Sequence, residues 1–188
     1  TMVAQSAPLQ EIIDTFYKVQ LLTVQRSGIG GVNMLNRLIT NRLSHRGLIP
    51  TDAMFYPGRP ILITQNKYDL ELFNGDIGVV LVDSKSNRLK TVFSRTKTEF
   101  LSVNSEQLPQ HETMYAMTVH KSQGSEFEHV IVVLPPTTSP ILSRALLYTA
   151  ITRARSRIEI WGTKELLCSA INHNARHESG LEKRISHC

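Results

Sequence analysis

The stretch Tyr115-Ala-Met-Thr-Val-His-Lys-Ser-Gln-Gly-Ser-Glu-Phe127 decides the fold. A short β-type run ends at Val119, the polar loop from His120 to Glu126 leaves it, and the apolar run Val130-Ile-Val-Val-Leu134 reads as a buried strand. Strands of this kind belong to an open α/β sheet, which binds ligands outside the carboxyl ends of its strands. Strand alternation aims Thr118 and His120 the same way, and Gly124 allows a ligand close to the backbone. Hydroxyl, imidazole and amide groups can bond phosphate and sugar without reading bases. Glu126 repels phosphate but can accept from a ribose hydroxyl or orient a cation. Taken alone, the segment reads equally as a solvated polar loop.

Outward toward the carboxyl end, Ser139-Pro140 predicts the N-cap and first turn of a helix running through Arg153. On that helix each residue turns ~100°, so Arg153 and Arg155 stand about 200° apart and only one can serve a nucleotide. Arginines in a last helical turn are also favoured by the helix macrodipole alone. Arg157-Ile-Glu-Ile-Trp161 then reads as a strand, residues 164–173 as a helix, and the polar residues 174–188 as a frayed end. His173 and His177 would share a helical face, with Cys168 or Cys188 nearby, but no third ligand has a fixed spacing and no metal site is expected.

Toward the amino end, Leu9, Ile12, Ile13, Phe16 and Tyr17 recur at helical spacing, with Glu11, Asp14 and Lys18 outside the stripe. Residues 19–24 read as a strand, 25–31 as a tight loop, and the stretch from Val32 through Leu43 as a second amphipathic helix. The loop with Gly28, Gly30 and Gly31 is no nucleotide cradle. A dinucleotide fingerprint needs glycine where Asn33 stands, and the Gly-Lys-Ser/Thr of a phosphate loop occurs nowhere.

Residues 49–109 change texture. Short β-type runs at residues 59–64, 78–82, 89–93 and 99–103 alternate with turn residues such as Asn74-Gly75. They predict a small antiparallel barrel or meander inserted into an α/β domain made of residues 1–48 and 110–188.

The chain has 188 residues and a formal net charge of +5, which suits an anionic partner without naming it. Its two cysteines fit no disulfide scaffold, so a reducing cytoplasm is the expected setting. No apolar run approaches the ~20 residues of a membrane span, and no membrane association is expected.

Four stretches together resemble superfamily-one DNA helicases, most closely the carboxyl-terminal motor domain of the RecD family, the exodeoxyribonuclease V alpha subunits. They are Gln25-Arg26-Ser-Gly28 with Leu35-Asn36, Leu72-Phe-Asn-Gly-Asp-Ile-Gly78, Met117-Thr-Val-His-Lys-Ser-Gln-Gly-Ser-Glu-Phe127 and Leu147-Tyr-Thr-Ala-Ile-Thr-Arg-Ala-Arg155. The resemblance implies a RecA-like parallel-sheet domain, without its own phosphate loop, interrupted by an SH3-like barrel. It implies that Arg153 is an arginine finger, that Arg26 is a second γ-phosphate sensor, and that Gln123, Gly124 and Glu126 face the nucleotide. Thr118, His120, Lys121 and Asn74 would contact single-stranded DNA.

ATP and Mg²⁺ would be held by a first motor domain earlier in the same full-length chain, so these residues alone are not expected to turn over ATP. The resemblance further implies bacterial double-strand break repair and recombination, 5′ to 3′ movement, and assembly with RecB- and RecC-like subunits. The competing expectation is a non-catalytic nucleic-acid-binding or protein-docking module that uses the barrel as its contact surface.

Overall fold

In the computed structural model, residues 8–96 and 99–173 are described. Helix α1 (Leu9–Lys18) buries Ile12 and Ile13 and gives way to an extended residue that opens strand β1 (Val19–Thr23). Helix α2 (Val32–His45) follows. Then come β2 (Pro60–Ile63), β3 (Ile77–Val82), β4 (Leu89–Ser94), β5 (Phe100–Asn104) and β6 (His111–Thr113). The chain closes with β7 (Ala116–Thr118), β8 (Phe127–Val133), α3 (Arg144–Ile151), β9 (Ala154–Trp161) and α4 (Lys164–Asn172).

Two sheets result. Strands β7-β1-β8-β9 form a parallel sheet in that order, with every pairing parallel. Its core joins Leu22, Met117, Val130 and Val132 to Leu146, Leu147 and Leu166 from the covering helices. Strands β5-β4-β3-β2-β6 form an antiparallel sheet around Ile61, Ile63, Val80, Phe93 and Val103. Gly78 is required there, because a Cβ would lie 2.7 Å from the Phe93 ring.

The antiparallel sheet occupies the interval between α2 and β7, where an insertion is expected. Among the described residues, its outer strands β5 and β6 are each bonded on one side, so its hydrogen bonding is that of an open sheet in which β6 returns beside β2. It also reaches past Pro109, since His111–Thr113 pairs with β2. Helix α1 lies between the sheets: Ile12 and Ile13 pack on Val79 and Val92, while Tyr17 stacks on Phe127 at 5.8 Å. Leu62 joins the parallel-sheet core beside Met114 and Met117. A small β-unit that closes marginally alone thus shares its apolar surface with its host.

Three local expectations are corrected. Helix α3 starts after Ser143, whose side chain accepts from Leu146 N at 3.3 Å, whereas Ser139 caps only a turn at Ile141 N. The helix also stops at Ile151, because Ala154 is drawn into β9 by pairing with Phe127. Arg153 therefore sits in a turn and Arg155 on a strand, and the helical angle between them does not apply. Finally, Val119 takes a helical backbone and His120 lies in a single 3-10 turn, so Thr118 and His120 do not alternate along one strand.

Candidate functional site

Strand register separates the expected site residues into two groups. Thr23 pairs with Thr118 on one side and with Val133 on the other, which sets Thr118 level with the carboxyl end of β8. Phe127 opens β8 at the opposite edge, paired with Ala154. The segment from Val119 to Glu126 therefore descends the height of the sheet, roughly 20 Å at ~3.3 Å per residue. Thr118 and His120 stand at the carboxyl edge, and Glu126, Arg153 and Arg155 at the amino edge. The expectation that the nucleotide-facing residues line the carboxyl ends is overturned. That rule holds for a domain that cradles phosphate on helix N-termini.

At the amino edge the half-buried Arg153 is oriented by neutral oxygens. Its Nη1 donates to Ser125 O at 3.2 Å, Nε to Thr149 O at 3.3 Å and Nη2 to Thr152 Oγ1 at 3.3 Å. Its own carbonyl accepts from Phe127 N at 2.8 Å, tying it to the first residue of β8. Among the described residues no carboxylate pairs with Arg153, whereas Arg155 Nε meets Glu126 Oε2 at 3.1 Å. The two arginines thus differ in their partners: Arg155 faces a carboxylate, and Arg153 only neutral oxygens.

Gln123 and Gly124 are exposed, and Gly124 takes φ +86°, which a side chain would strain. Gly124, Ser125, Glu126 and Arg155 line one wall of a recess of about 600 Å³. Gln10, Asp14 and Lys18 from α1 line another. These three escape sequence reasoning. Their spacing shows a polar helix face, but not that the face looks onto the loop. Tyr17 on the same helix has its hydroxyl pKa raised, first by burial and then by Asp76.

At the carboxyl edge the polar loop is pinned by Ser122, which is fully buried and donates to Val119 O at 2.7 Å. Lys121 N donates to Thr118 Oγ1 at 3.3 Å, and its Nζ reaches Asn74 Oδ1 at 3.1 Å. Four residues expected on nucleic acid (Thr118, His120, Lys121 and Asn74) are thereby brought together from both sheets, with His120 exposed among them. Asn36, quoted above for the resemblance, has its amide paired with both Ala116 O (3.1 Å) and Ala116 N (2.9 Å), imitating a further strand beside β7.

Arg26 stands at this edge too, ion-paired with Glu112 at 2.5 Å. It follows the carboxyl end of β1, whereas Arg153 precedes the amino end of β9. The Gly28 loop is a strand-to-helix turn, closed by Gly31 N to Gly28 O at 3.1 Å.

Among the described residues no group of three metal-ligating side chains is gathered. His173 Nδ1 lies 2.9 Å from Leu142 O, and His177 and Cys188 fall outside the described residues, as does the end expected to fray. No described helix is long and apolar enough to cross a membrane.

Residues 113–158, which span β7, the loop, β8, α3 and the start of β9, match the UvrD-like helicase C-terminal domain family. Over 175 residues the chain is 36% identical to the RecBCD enzyme subunit RecD of Haemophilus influenzae, covering 90% of this chain and 25% of that protein. The chain belongs to the RecD family of helicases. Another relative, the ATP-dependent RecD2 DNA helicase of Deinococcus radiodurans, is 34% identical over 173 residues, covering 90% of this chain and 24% of that protein. The chain thus spans about a quarter of these relatives and corresponds to the C-terminal part of a RecD-like helicase. A crystal structure of Bacteroides Pif1 bound to single-stranded DNA shares the fold at a TM-score of 0.54 and 15% identity. It covers 97% of this chain, which spans 52% of it.

Proposed function

We propose that this chain is the second motor domain of an ATP-dependent DNA translocase of bacterial double-strand break repair. The carrying observation is that one continuous segment, residues 118–126, links the candidate nucleic-acid contacts at one edge of the parallel sheet to the candidate nucleotide contacts at the other.

The residues fit a triphosphate held by a neighbouring module. Arg153 offers an uncompensated guanidinium at an open edge, and the sequence lacks a Gly-Lys-Ser/Thr loop to cradle phosphate itself. ATP with Mg²⁺ supplies the phosphoryl transfer. Arg153 would place positive charge where the transferring group develops negative charge, and Gly124 and Glu126 would face the ribose of the same ligand. Ser125 carries the coupling: its carbonyl holds Arg153, and the loop it belongs to is anchored by Ser122 and ends on the Lys121–Asn74 contact. A shift of Arg153 on domain closure is passed through this loop to Thr118, His120 and Lys121, which hold the strand.

Arg26, at the strand-holding edge, is assigned there and not to the γ-phosphate. The chain alone is expected to be inactive as an ATPase. Movement from 5′ to 3′, assembly with RecB- and RecC-like subunits, an SH3-like character for the antiparallel sheet and a cytoplasmic setting complete the proposal.

The test is Arg153→Ala in the complete enzyme. ATP turnover is expected to fall by about 10³–10⁵-fold while single-strand binding persists. Turnover at the wild-type level would remove Arg153 from the role.

A further inference from the structure

The connection between β2 and β3 holds two large rings out in solvent. Tyr68 is 74% exposed and Phe73 is 45% exposed. They meet edge to face with centroids 6.1 Å apart. The loop that presents them is tightly built. Leu72 between them is fully buried, and Lys67 N donates to Leu72 O at 2.7 Å. Asn66 donates to the Tyr68 hydroxyl at 3.2 Å and accepts from Asn74 N at 2.7 Å. Asp76 accepts from Phe73 N at 2.9 Å, and the Arg95 guanidinium, ion-paired to Asp76, lies 6.0 Å over the Phe73 ring. The rings are therefore fixed outward by the turn.

The next residue, Asn74, receives Lys121 Nζ. The aromatic pair thus adjoins the segment that carries His120 and Lys121. Asp69 and Glu71, in the same turn, are exposed carboxylates that repel phosphate. A polyanion with flat faces can satisfy both features only by keeping its backbone at the Lys121 side and turning its bases toward the rings.

We propose that Tyr68 and Phe73 form a stacking platform for bases of the single strand whose backbone is held at His120 and Lys121. The inference rests on the nucleic-acid reading above and adds the antiparallel sheet to the strand's track. Stacking of this kind tolerates any sequence, because every base has a π face. Arg95 over Phe73 adds a cation to the platform.

The experiment measures binding of the chain to a fluorescein-labelled oligothymidylate and to a strand of equal length carrying abasic sites. Wild-type protein is expected to prefer the thymidylate strand by about tenfold. Tyr68→Ala and Phe73→Ala are each expected to lose roughly tenfold on thymidylate and little on the abasic strand. Tyr68→Phe keeps the ring and is expected to keep the affinity. Lys121→Ala is expected to weaken both strands alike and to lower the salt slope by about 0.7.

Unchanged thymidylate affinity in the Tyr68→Ala, Phe73→Ala double variant would overturn the platform. Equal losses on both strands would do the same. In either case a Lys121→Ala effect would leave the nucleic-acid reading standing. Failure of the wild-type chain to bind either strand would overturn both. Because the substituted rings are exposed, unchanged thermal unfolding of the variants accompanies the supporting result.

Discussion

Arg26 at one edge of the parallel sheet and Arg153 at the other are held in opposite ways. At the carboxyl edge Arg26 is closed by Glu112, and Lys121 is tied to Asn74 by a side-chain bond between the two sheets. At the amino edge Arg153 is aimed by three neutral acceptors and left without a counter-ion among the described residues. Orientation and neutralisation are separate physical acts. A carboxylate would orient an arginine as well as a carbonyl does, but it would also cancel the field that a phosphate must feel. The difference leaves Arg153, among the described residues, with no carboxylate to oppose an anion arriving from outside.

The largest effect should break the symmetry between these arginines. In the complete enzyme, Arg153→Ala is expected to lose about 10³–10⁵ in ATP turnover, and Arg26→Ala under about tenfold, with its defect in strand affinity. Steady-state hydrolysis with saturating single strand measures both. Equal loss of turnover would return Arg26 to the nucleotide and erase the contrast between the edges.

A smaller effect sharpens the contrast through packing. Phe127 is fully buried, stacks on Tyr17 and donates its N–H to the Arg153 carbonyl. Phe127→Ala should cost about 3–5 kcal/mol of stability, read by denaturant unfolding. Near-neutral unfolding would mean that the amino edge is not anchored through this residue.

The smallest effect concerns the ion pair beside Arg153. Arg155 and Glu126 are 64% and 55% exposed, so their attraction is screened by water. Glu126→Gln should change stability by less than about 1 kcal/mol, while a loss of nucleotide affinity in the complete enzyme would show Glu126 acting on ligand. A large stability loss would make the pair structural.

Much of the fold was legible in the sequence. The apolar stripe of α1, the runs that became β1 and β8, and the change to short β-type runs after residue 49 each follow from periodicities a single segment displays. Ser139-Pro140 misled because Ser143, a few residues on, also caps, and only packing of Leu146 and Leu147 selects between the two. Thr118, His120, Lys121 and Asn74 were named through resemblance, and the structure brings Thr118 and Asn74 to Lys121. Gln10, Asp14 and Lys18 were not, because their place beside the loop depends on elements far away in the chain.

Segment by segment, local periodicity and turn chemistry determined which residues form helices and strands, and the helicase family followed from the order of short motifs. Only the tertiary structure decided which edge each motif reaches, which arginine faces a carboxylate and where the aromatic pair points. Those outcomes depend on register between strands remote in sequence, and hydrogen bonds across a sheet carry no mark in the order of residues along one strand.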